Sequence, residues 1–315
     1  MKPRISILIP VKDEQNTLPR LLDALNETLR PLSDQNRFHV LILDDGSTDD
    51  TVKIAKETRS DCFSVGLCSL TRNFGKEAAI AAGLERCDSD AYIVMDGDLQ
   101  HPPELIPEML QHWQKGYKVV EAVKADRGKE SLFYRLFSLL FYRSMKFMAT
   151  LDLQSLSDYK LIDREVVHTI RRLPEKSRFF RGLIDWMGYP THHIPFDVPV
   201  REHGNSSWST IQLIKYSISS VASFSSAPLQ MVTLIGMLML LVSVILGSVT
   251  LFQWISGSAV TGFTTVIILL LMIGSMLMVS LGVIGLYLSK IYEEIKGRPS
   301  YMVKEEFQLS PDSEQ

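Results

Sequence analysis

YIVMDGDLQHPP, residues 92–103, joins a strand-forming apolar run to two carboxylates two positions apart, an amide and a proline-stiffened turn. In an open parallel sheet, ligands bind just beyond the carboxyl ends of the strands. Asp96 and Asp98 would repel each other at such an end unless a positive group lay between them. Mg²⁺ typically takes one or two protein carboxylates and completes its shell with phosphate oxygens and water. The stretch therefore predicts a site for Mg²⁺ or Mn²⁺ and a diphosphate, the alternative being an acidic turn that only caps a helix.

Strand-like and helix-like patterns alternate on both sides of this stretch. We predict strands at residues 5–9, 38–43, 63–70, 92–95 and 119–123, and helices at about 16–29, 50–59, 76–87 and 104–115. This alternation predicts an α/β domain with a mostly parallel sheet. Polar segments follow the first and second strands as well as the fourth, at residues 10–14 and 44–49. We therefore expect these segments to lie side by side along one edge of the sheet.

The last third of the chain is apolar, with no Asp, Glu, Lys, Arg or His from residue 216 to residue 289. A helix needs about 20 apolar residues to cross a hydrocarbon core. Residues 229–255 and 263–288 each meet this length, so we predict two transmembrane helices within a membrane region at 228–292.

Basic residues flank this region but are absent from the loop between the two helices. Lys215 precedes the first helix, and the basic residues after the second are Lys290, Lys296 and Arg298. The positive-inside rule then places the N-terminal domain at 1–227 and the tail at 293–315, with both termini, in the cytoplasm. The tail after Lys304 is polar, and we expect it to be disordered.

Other segments also have membrane character. Residues 131–151 place apolar side chains at helical spacing with positive charges only, which fits a helix in the membrane interface. A helix packed on the sheet with its arginines outward is the alternative. Residues 209–226 predict a second shallow helix. Ser243 and Gly247 form a small-xxx-small pair, which is compatible with a homo-oligomer through the membrane helices.

Taken in order, these motifs resemble the polyprenyl-phosphate glycosyltransferases of glycosyltransferase family 2, which include dolichol-phosphate mannose synthases and the bacterial GtrB type. The resemblance rests on residues 10–14, 44–49 and 96–103 followed by two C-terminal spans, and it extends to about Pro299. It implies a GT-A (Rossmann-like) domain followed by two transmembrane helices. It also implies an inverting enzyme that moves a hexose from a nucleotide sugar to a polyprenyl phosphate.

The resemblance implies a role for each residue at these strand ends. The implied nucleotide-sugar contacts are Pro10, Val11, Glu14, Asp44, Asp45, Lys76, Asp96 and Gly97. The implied ligands of the metal and diphosphate are Asp96, Asp98 and Gln100. Which of Asp44 and Asp45 faces the base stays open.

Residues 157–164 resemble the family's G-D-[FY]-[RK]-L segment, with Ser157 in place of the glycine. This departure implies that the turn need not adopt a positive φ. Asp158 stands where the family has its candidate base, so it joins Asp98 as an implied catalytic residue. Positioning the acceptor or the sugar hydroxyls is an alternative role for Asp158.

Residues 201–208 resemble the family's R-x-x-G-x-S-K-[YW] loop, which closes over the phosphates. Ser207 stands where a lysine is common, so one expected cation is absent. The implied contacts to the lipid phosphate and diphosphate are Arg127, Arg135, Arg201 and Ser206.

The similarity of the two-span layout to the bacterial GtrB type implies transfer of glucose from UDP-glucose to undecaprenyl phosphate at the bacterial inner membrane. A GDP-mannose-dependent mannosyltransferase is the alternative. The acceptor phosphate, with a second pKa near 6, is ionised at neutral pH and needs little help from a base. The histidines at 101, 192 and 193 are interpreted as turn or surface residues.

Other classes of protein fit the sequence less well. A net charge of −3 argues against a nucleic-acid partner. A processive polysaccharide synthase would carry a Q-x-x-R-W segment, but no tryptophan here follows an arginine. A sugar-lipid flippase should have ionisable groups inside its spans, and a scaffold would not need the acid pair.

Overall fold

The computed structural model describes residues 2–124, 157–173, 175, 180–196, 227–256 and 262–307. These residues form two compact units. The sheet unit contains the described residues up to 196 together with 299–307, and the helical unit contains 227–256 and 262–298. The predicted interfacial helices at 131–151 and 209–226 lie outside the described residues.

A mixed sheet forms the centre of the sheet unit. Its strands in the described ranges are β1 (Arg4–Val11), β2 (Arg37–Asp44), β3 (Phe63–Leu70), β4 (Ala91–Val94), β5 (Val119–Lys124), β6 (Lys160–Asp163), β7 (Thr191–Phe196) and β8 (Val303–Phe307). Their order is β7-β5-β6-β4-β1-β2-β3-β8. β1 to β4 are parallel, whereas β6 is antiparallel to its neighbours and β8 is antiparallel to β3. The ends of β1, β2 and β4 therefore adjoin, as predicted.

Helices cover both faces of this sheet. They are α1 (Leu18–Leu29), α2 (Thr51–Glu57), α3 (Lys76–Arg86), α4 (Ile106–Gln114), α5 (Arg164–Arg172) and α6 (Phe180–Trp186). The leucines of α1 pack with Ile5, Ile7 and Ile9 on one face. The alanines of α3 pack with Leu8 on the other face. Because both faces are buried, β1 is a continuous apolar run rather than an alternating one.

The predicted elements up to residue 124 are confirmed with small shifts at their ends, whereas β6 and β7 were not predicted. β6 has four residues, and β7 alternates buried residues with exposed polar ones such as His193. The interpretation of His192 and His193 as residues of a surface bend is wrong, because both belong to β7. The His192 ring stacks on His112 of α4 with centroids 3.6 Å apart.

The expectation of a disordered tail after Lys304 is wrong for residues 305–307, which are ordered together with residues 303–304. These residues form β8, and Glu305 and Glu306 pair with Lys56 of α2 at 2.6 Å and with Arg86 of α3 at 2.5 Å. The glutamates of this segment predicted disorder, but charged side chains are also common on the edge strand of a sheet.

The helical unit contains α7 (Ala227–Ile255) and α8 (Phe263–Ile295). Two stretches, Pro228–Gln253 and Leu269–Ile295, are long and apolar enough to cross a membrane. α8 continues about two turns beyond the predicted end at 288, because its polar last turns are still compatible with a helix. Gly297, at φ 71°, ends it in the left-handed conformation that glycine adopts without strain.

Gly46 lies where two loops touch, and we expect Gly46→Ala to destabilise the sheet unit strongly. Gly46 has φ +73°, and a Cβ there would lie 2.6 Å from the backbone carbon of Arg72. A left-handed alanine costs about 1–2 kcal/mol by itself, and the backbone clash adds to it. The measurement is the apparent melting temperature in detergent. Gly188→Ala is the matched control, since Gly188 has φ +66° with no atom within 4 Å of such a Cβ. Equal shifts would contradict the clash.

Candidate active site

The loops after β1 and β2 are bound to each other. Asp13 accepts hydrogen bonds from the Thr48 amide at 2.8 Å and from the Thr48 hydroxyl at 3.2 Å. Its own amide donates to the Ser47 hydroxyl at 2.9 Å, and the Glu14 amide donates to Thr51 Oγ1 at 2.9 Å. These bonds hold together the two segments that the sequence assigns to the nucleotide.

Asp44 and Asp45, at the end of β2, hold the neighbouring loops in place. Asp44 accepts hydrogen bonds from the Ser47 amide at 2.9 Å and from the Ser69 hydroxyl at 2.6 Å. Asp45 accepts from the amides of residues 74–75 at 2.7 and 2.9 Å, which connects the β2 loop to the segment before α3. Burial raises the pKa of Asp45, and the two backbone N–H groups offset part of this rise. Both aspartates therefore fix the loops at the end of β2. A contact of either one with the nucleotide base stays a prediction.

Gly97 brings the acid pair against the end of β1. A Cβ at Gly97 would lie 2.9 Å from Val11 Cγ1 and 3.6 Å from the Pro10 carbonyl oxygen. Asp98 Oδ1 accepts the Gln100 amide at 3.1 Å, which closes the turn after Gly97. The residues predicted at the ends of β1 and β4 are thus in direct contact.

His101 supports this turn from the interior. Its Nδ1 accepts the Asp96 amide at 2.8 Å, which leaves the ring proton on Nε2. Burial lowers the pKa of His101, so the ring is neutral. The ring stacks on Tyr159 with centroids 4.9 Å apart, and the Tyr159 hydroxyl donates to the Pro102 carbonyl at 2.8 Å. The interpretation of His101 as a turn residue is confirmed.

Ser157 forms its turn without the glycine of the family motif. Its hydroxyl accepts the Tyr159 amide at 3.1 Å. Among the residues that the structure describes, the non-glycine residues with positive φ are Asp13 and Leu99. The prediction that Ser157 needs no positive φ stays a prediction, since this angle is defined with residue 156, which lies outside the described residues.

Lys76, the first residue of α3, joins the two acidic segments. Its Nζ lies 2.5 Å from Asp96 Oδ1 and 2.5 Å from Asp158 Oδ2. The Arg181 guanidinium donates to both carboxylate oxygens of Asp158, through Nε and Nη2. Two cations and two anions thus form one cluster, which we call the charge cluster. It joins the end of β4 and the segment before β6 to the first turns of α3 and α6.

The charge cluster keeps Asp158 ionised. Burial acts to raise the pKa of Asp158, but the hydrogen bonds from Arg181 and the charge of Lys76 outweigh it and hold the pKa well below its usual value. Burial acts to lower the pKa of Lys76, but Asp96 and Asp158 outweigh it and raise this pKa. A carboxylate with such a low pKa is a weak proton acceptor. Of the two roles predicted for Asp158, the geometry favours positioning.

Arg181 and Glu77 are residues of this site that the sequence analysis missed. Arg181 belongs to no motif that was recognised, and it meets Asp158 only through the placement of α6. Glu77 Oε2 accepts the Phe180 amide at 2.9 Å, which fixes the start of α6 next to Lys76. Burial raises the pKa of Glu77 to about 7.

We expect Glu77→Gln to change how stability depends on pH. The pKa of Glu77 rises on folding from 4.5 to about 7, so its contribution is fully present below pH 4.5 and is lost as pH rises through about 7. At 1.36 kcal/mol per pH unit, the loss is at most about 3 kcal/mol. The apparent melting temperature of the variant relative to wild type should therefore rise between about pH 5 and pH 8. A constant difference for Glu77→Gln across this range would contradict the prediction.

The acid pair suits a hard divalent cation that shares its shell with a substrate. In the described ranges, no group of three or more His, Cys, Asp or Glu side chains could hold a metal ion alone. Asp96 and Asp98 provide two carboxylates, which is the usual protein share for Mg²⁺ bound to phosphates. Negative charge is concentrated here. Burial raises the pKa of Glu14, the hydrogen bond from Thr17 lowers it, and the charge of Asp98 raises it further. The donor set therefore fits Mg²⁺ or Mn²⁺.

Several predicted contacts lie outside the described residues. They are Arg127, Arg135, Arg201 and Ser206. Their roles at the lipid phosphate and diphosphate stay predictions.

A mixed, mostly parallel α/β sheet with an acid pair at the end of β4 is typical of GT-A glycosyltransferases. The profile described as Glycosyl transferase family 2 matches residues 6–171, more than half of the chain. The chain belongs to glycosyltransferase family 2 and is an enzyme of that family.

The curated relatives match at full length. The SfII prophage-derived bactoprenol glucosyl transferase of Shigella flexneri is 32% identical over 98% of this chain and 100% of its own. A prophage bactoprenol glucosyl transferase homolog of Escherichia coli is 33% identical over 96% of this chain and 98% of its own. An uncharacterized glycosyltransferase of Synechocystis is 34% identical over 97% and 96%.

The chain also resembles a solved structure in its fold. Glucosyl-3-phosphoglycerate synthase of Mycobacterium tuberculosis, in complex with Mn²⁺, UDP and phosphoglyceric acid, matches with a TM-score of 0.50. It is 21% identical, with 70% of this chain and 76% of that chain covered. The predicted GT-A fold and family are thus confirmed.

Proposed function

We propose that the protein transfers glucose from UDP-glucose to undecaprenyl phosphate at the cytoplasmic face of the bacterial inner membrane, with inversion at the anomeric carbon. The observation that carries this proposal is the charge cluster next to the acid pair, in a chain that also has two long apolar helices. The full-length relationship to bactoprenol glucosyl transferases supports the lipid acceptor and the sugar. These relatives support a role in polyprenyl-phosphate glycosylation more strongly than they support any one sugar or nucleotide.

The residues at the end of β4 would bind the diphosphate of the donor. Asp96 and Asp98 would hold the divalent cation, which supplies charge neutralisation for the departing nucleoside diphosphate. Lys76 already lies 2.5 Å from Asp96, so its ammonium is placed to accept part of the same developing negative charge. Preorganised charges of this kind need no rearrangement as the bond between sugar and diphosphate breaks.

The acceptor brings its own nucleophile. An ionised phosphate oxygen attacks the anomeric carbon as the nucleoside diphosphate leaves, and no proton has to be removed from it near pH 7. Asp158 is therefore assigned to positioning: it holds Lys76 and Arg181 toward the reacting phosphates. Arg181 offers a planar guanidinium, which matches the geometry of phosphate oxygens.

The strand that follows the apolar helices supports the proposed topology. β8 pairs with β3, so the segment after α8 lies on the same side of a membrane as the sheet unit. Two crossings between them satisfy this requirement. The basic residues after α8 favour the cytoplasm for that side.

A transfer assay tests the proposal. Purified protein in detergent is incubated with Mg²⁺ or Mn²⁺, undecaprenyl phosphate and one radiolabelled donor at a time, including UDP-glucose, UDP-galactose and GDP-mannose. We expect label in the lipid phase from UDP-glucose, with loss of transfer when the metal is chelated. Transfer from GDP-mannose alone would replace glucose by mannose in the proposal, and transfer from none of the donors would overturn it.

A further inference from the structure

Glu121, in β5, is a buried carboxylate outside the charge cluster that binds the chain on both sides of Asp158. Its Oε1 accepts the Ser157 amide at 2.6 Å and lies 3.2 Å from Lys160 Nζ. In the β5–β6 ladder, Glu121 and Lys160 are directly opposite each other. Glu121 therefore contacts the residue before Asp158 and the second residue after it.

Lys160 continues this arrangement to α6. Its Nζ lies 5.7 Å from the centroid of the Phe180 ring, within the range of a cation–π contact. Phe180 directly precedes Arg181, whose guanidinium binds Asp158. The turn that carries Asp158 and the helix that carries Arg181 are thus joined twice, once by their own charges and once through Lys160 and Phe180.

The Glu121–Lys160 pair is a costly way to join two strands if stability alone is served. The side chains are 5% and 1% exposed. Replacing a buried ion pair by apolar residues of similar volume is often neutral or stabilising. The pair instead fixes the position of the turn at 157–160, because Glu121 binds both the Ser157 amide and Lys160. His193 Nδ1 approaches the other oxygen, Glu121 Oε2, at 3.6 Å from the more exposed side.

We propose that Glu121 and Lys160 are a positioning pair, which sets the Asp158 carboxylate between Lys76 and Arg181. Lys160 is the basic residue of the G-D-[FY]-[RK]-L segment, whereas Glu121 belongs to none of the motifs on which the family resemblance rests. This inference rests on the proposed function of Asp158. Neither residue is expected to touch donor or acceptor, so both act through Asp158.

Two variants separate positioning from stability. Glu121→Gln keeps an acceptor for the Ser157 amide but leaves Lys160 buried without its counter-charge, so both stability and kcat should fall. The double variant Glu121→Gln/Lys160→Met removes the uncompensated charge, so its apparent melting temperature should recover. We expect its kcat to stay at least about tenfold below wild type, with KM for the nucleotide sugar changed less than about twofold, since no substrate contact is lost.

The control is a distant ion pair of the same fold. Lys56→Met/Glu305→Gln removes a 2.6 Å pair between α2 and β8 and should change kcat less than about twofold. Recovery of both melting temperature and kcat in the Glu121→Gln/Lys160→Met variant would overturn the positioning proposal.

Hydrogen exchange supplies a measurement that needs no activity. In the double variant, amides of residues 157–162 should exchange at least about tenfold faster, while those of β1 are unchanged. If wild type transfers none of the donors, the proposed function fails, and this exchange measurement alone decides whether the pair orders the Asp158 turn. Unchanged exchange at 157–162 would refute the pair's role.

Discussion

Asp98→Asn is expected to lower kcat by at least about a hundredfold while leaving the fold intact. The Asp98 side chain accepts a hydrogen bond from the Gln100 amide of its own turn at 3.1 Å. An asparagine oxygen can accept this bond equally well. What asparagine cannot supply is the negative charge that a divalent cation and a diphosphate require. Removal of one preorganised electrostatic group at a developing charge typically costs a factor of about 10²–10³.

Two measurements should accompany the rate. Binding of Mn²⁺ in the presence of UDP, followed by electron paramagnetic resonance, should weaken at least about tenfold in the variant, and the apparent melting temperature should not change. Asp88→Asn is the control, since Asp88 is exposed and its pair with Arg164 is loose at 3.5 Å. Wild-type turnover with wild-type Mn²⁺ affinity would remove Asp98 from the metal site.

Asp158→Asn is expected to have an effect of similar size through a different cause. The substitution leaves Lys76 and Arg181 facing each other without the shared anion between them. Breaking such a pair destabilises a protein by about 3–5 kcal/mol when it is fully buried, and by less here because both cations are about one-third exposed. Transfer should fall at least about a hundredfold because Asp158 no longer holds either cation toward the phosphates.

The pH profile distinguishes positioning from base catalysis. The pKa of Asp158 is held well below its usual value, so its ionisation should not limit the rate in the range where the enzyme is active. In wild type, the rate should fall below about pH 6 as the acceptor phosphate takes up a proton. Asp158→Asn should be slower with the same profile shape. A variant whose profile becomes flat at low pH would show that Asp158 is the titrating base.

The first half of the fold could be predicted because each element carries a strong local pattern. β1, the leucine face of α1 and the apolar run before Asp96 are all readable within a dozen residues. β6 and β7 are short or half polar, and their burial depends on neighbours far along the chain. The tail strand β8 has the composition of a solvated segment, and only its partner β3 makes it a strand.

The site could be predicted in part for the same reason. The acids after β1, β2 and β4 follow from the rule that ligands bind at the carboxyl ends of parallel strands. The contacts of Lys76 with Asp158 and of Asp158 with Arg181 join residues that are remote in sequence, and no spacing rule connects them. A charge-balance argument could have pointed to a lysine near the acid pair, since the pair required a positive neighbour.

The return of the chain to the sheet after α8 has a consequence for how the protein is made. The outer edge of β3 stays unpaired until β8 has left the ribosome, and β8 is synthesised only after both apolar helices. During that interval an unpaired strand edge is open to association with other nascent chains. For the same reason, an attempt to obtain a soluble enzyme by stopping before residue 227 would discard the closing strand. A version in which residues 299–307 are joined to the sheet unit through a flexible linker should aggregate less.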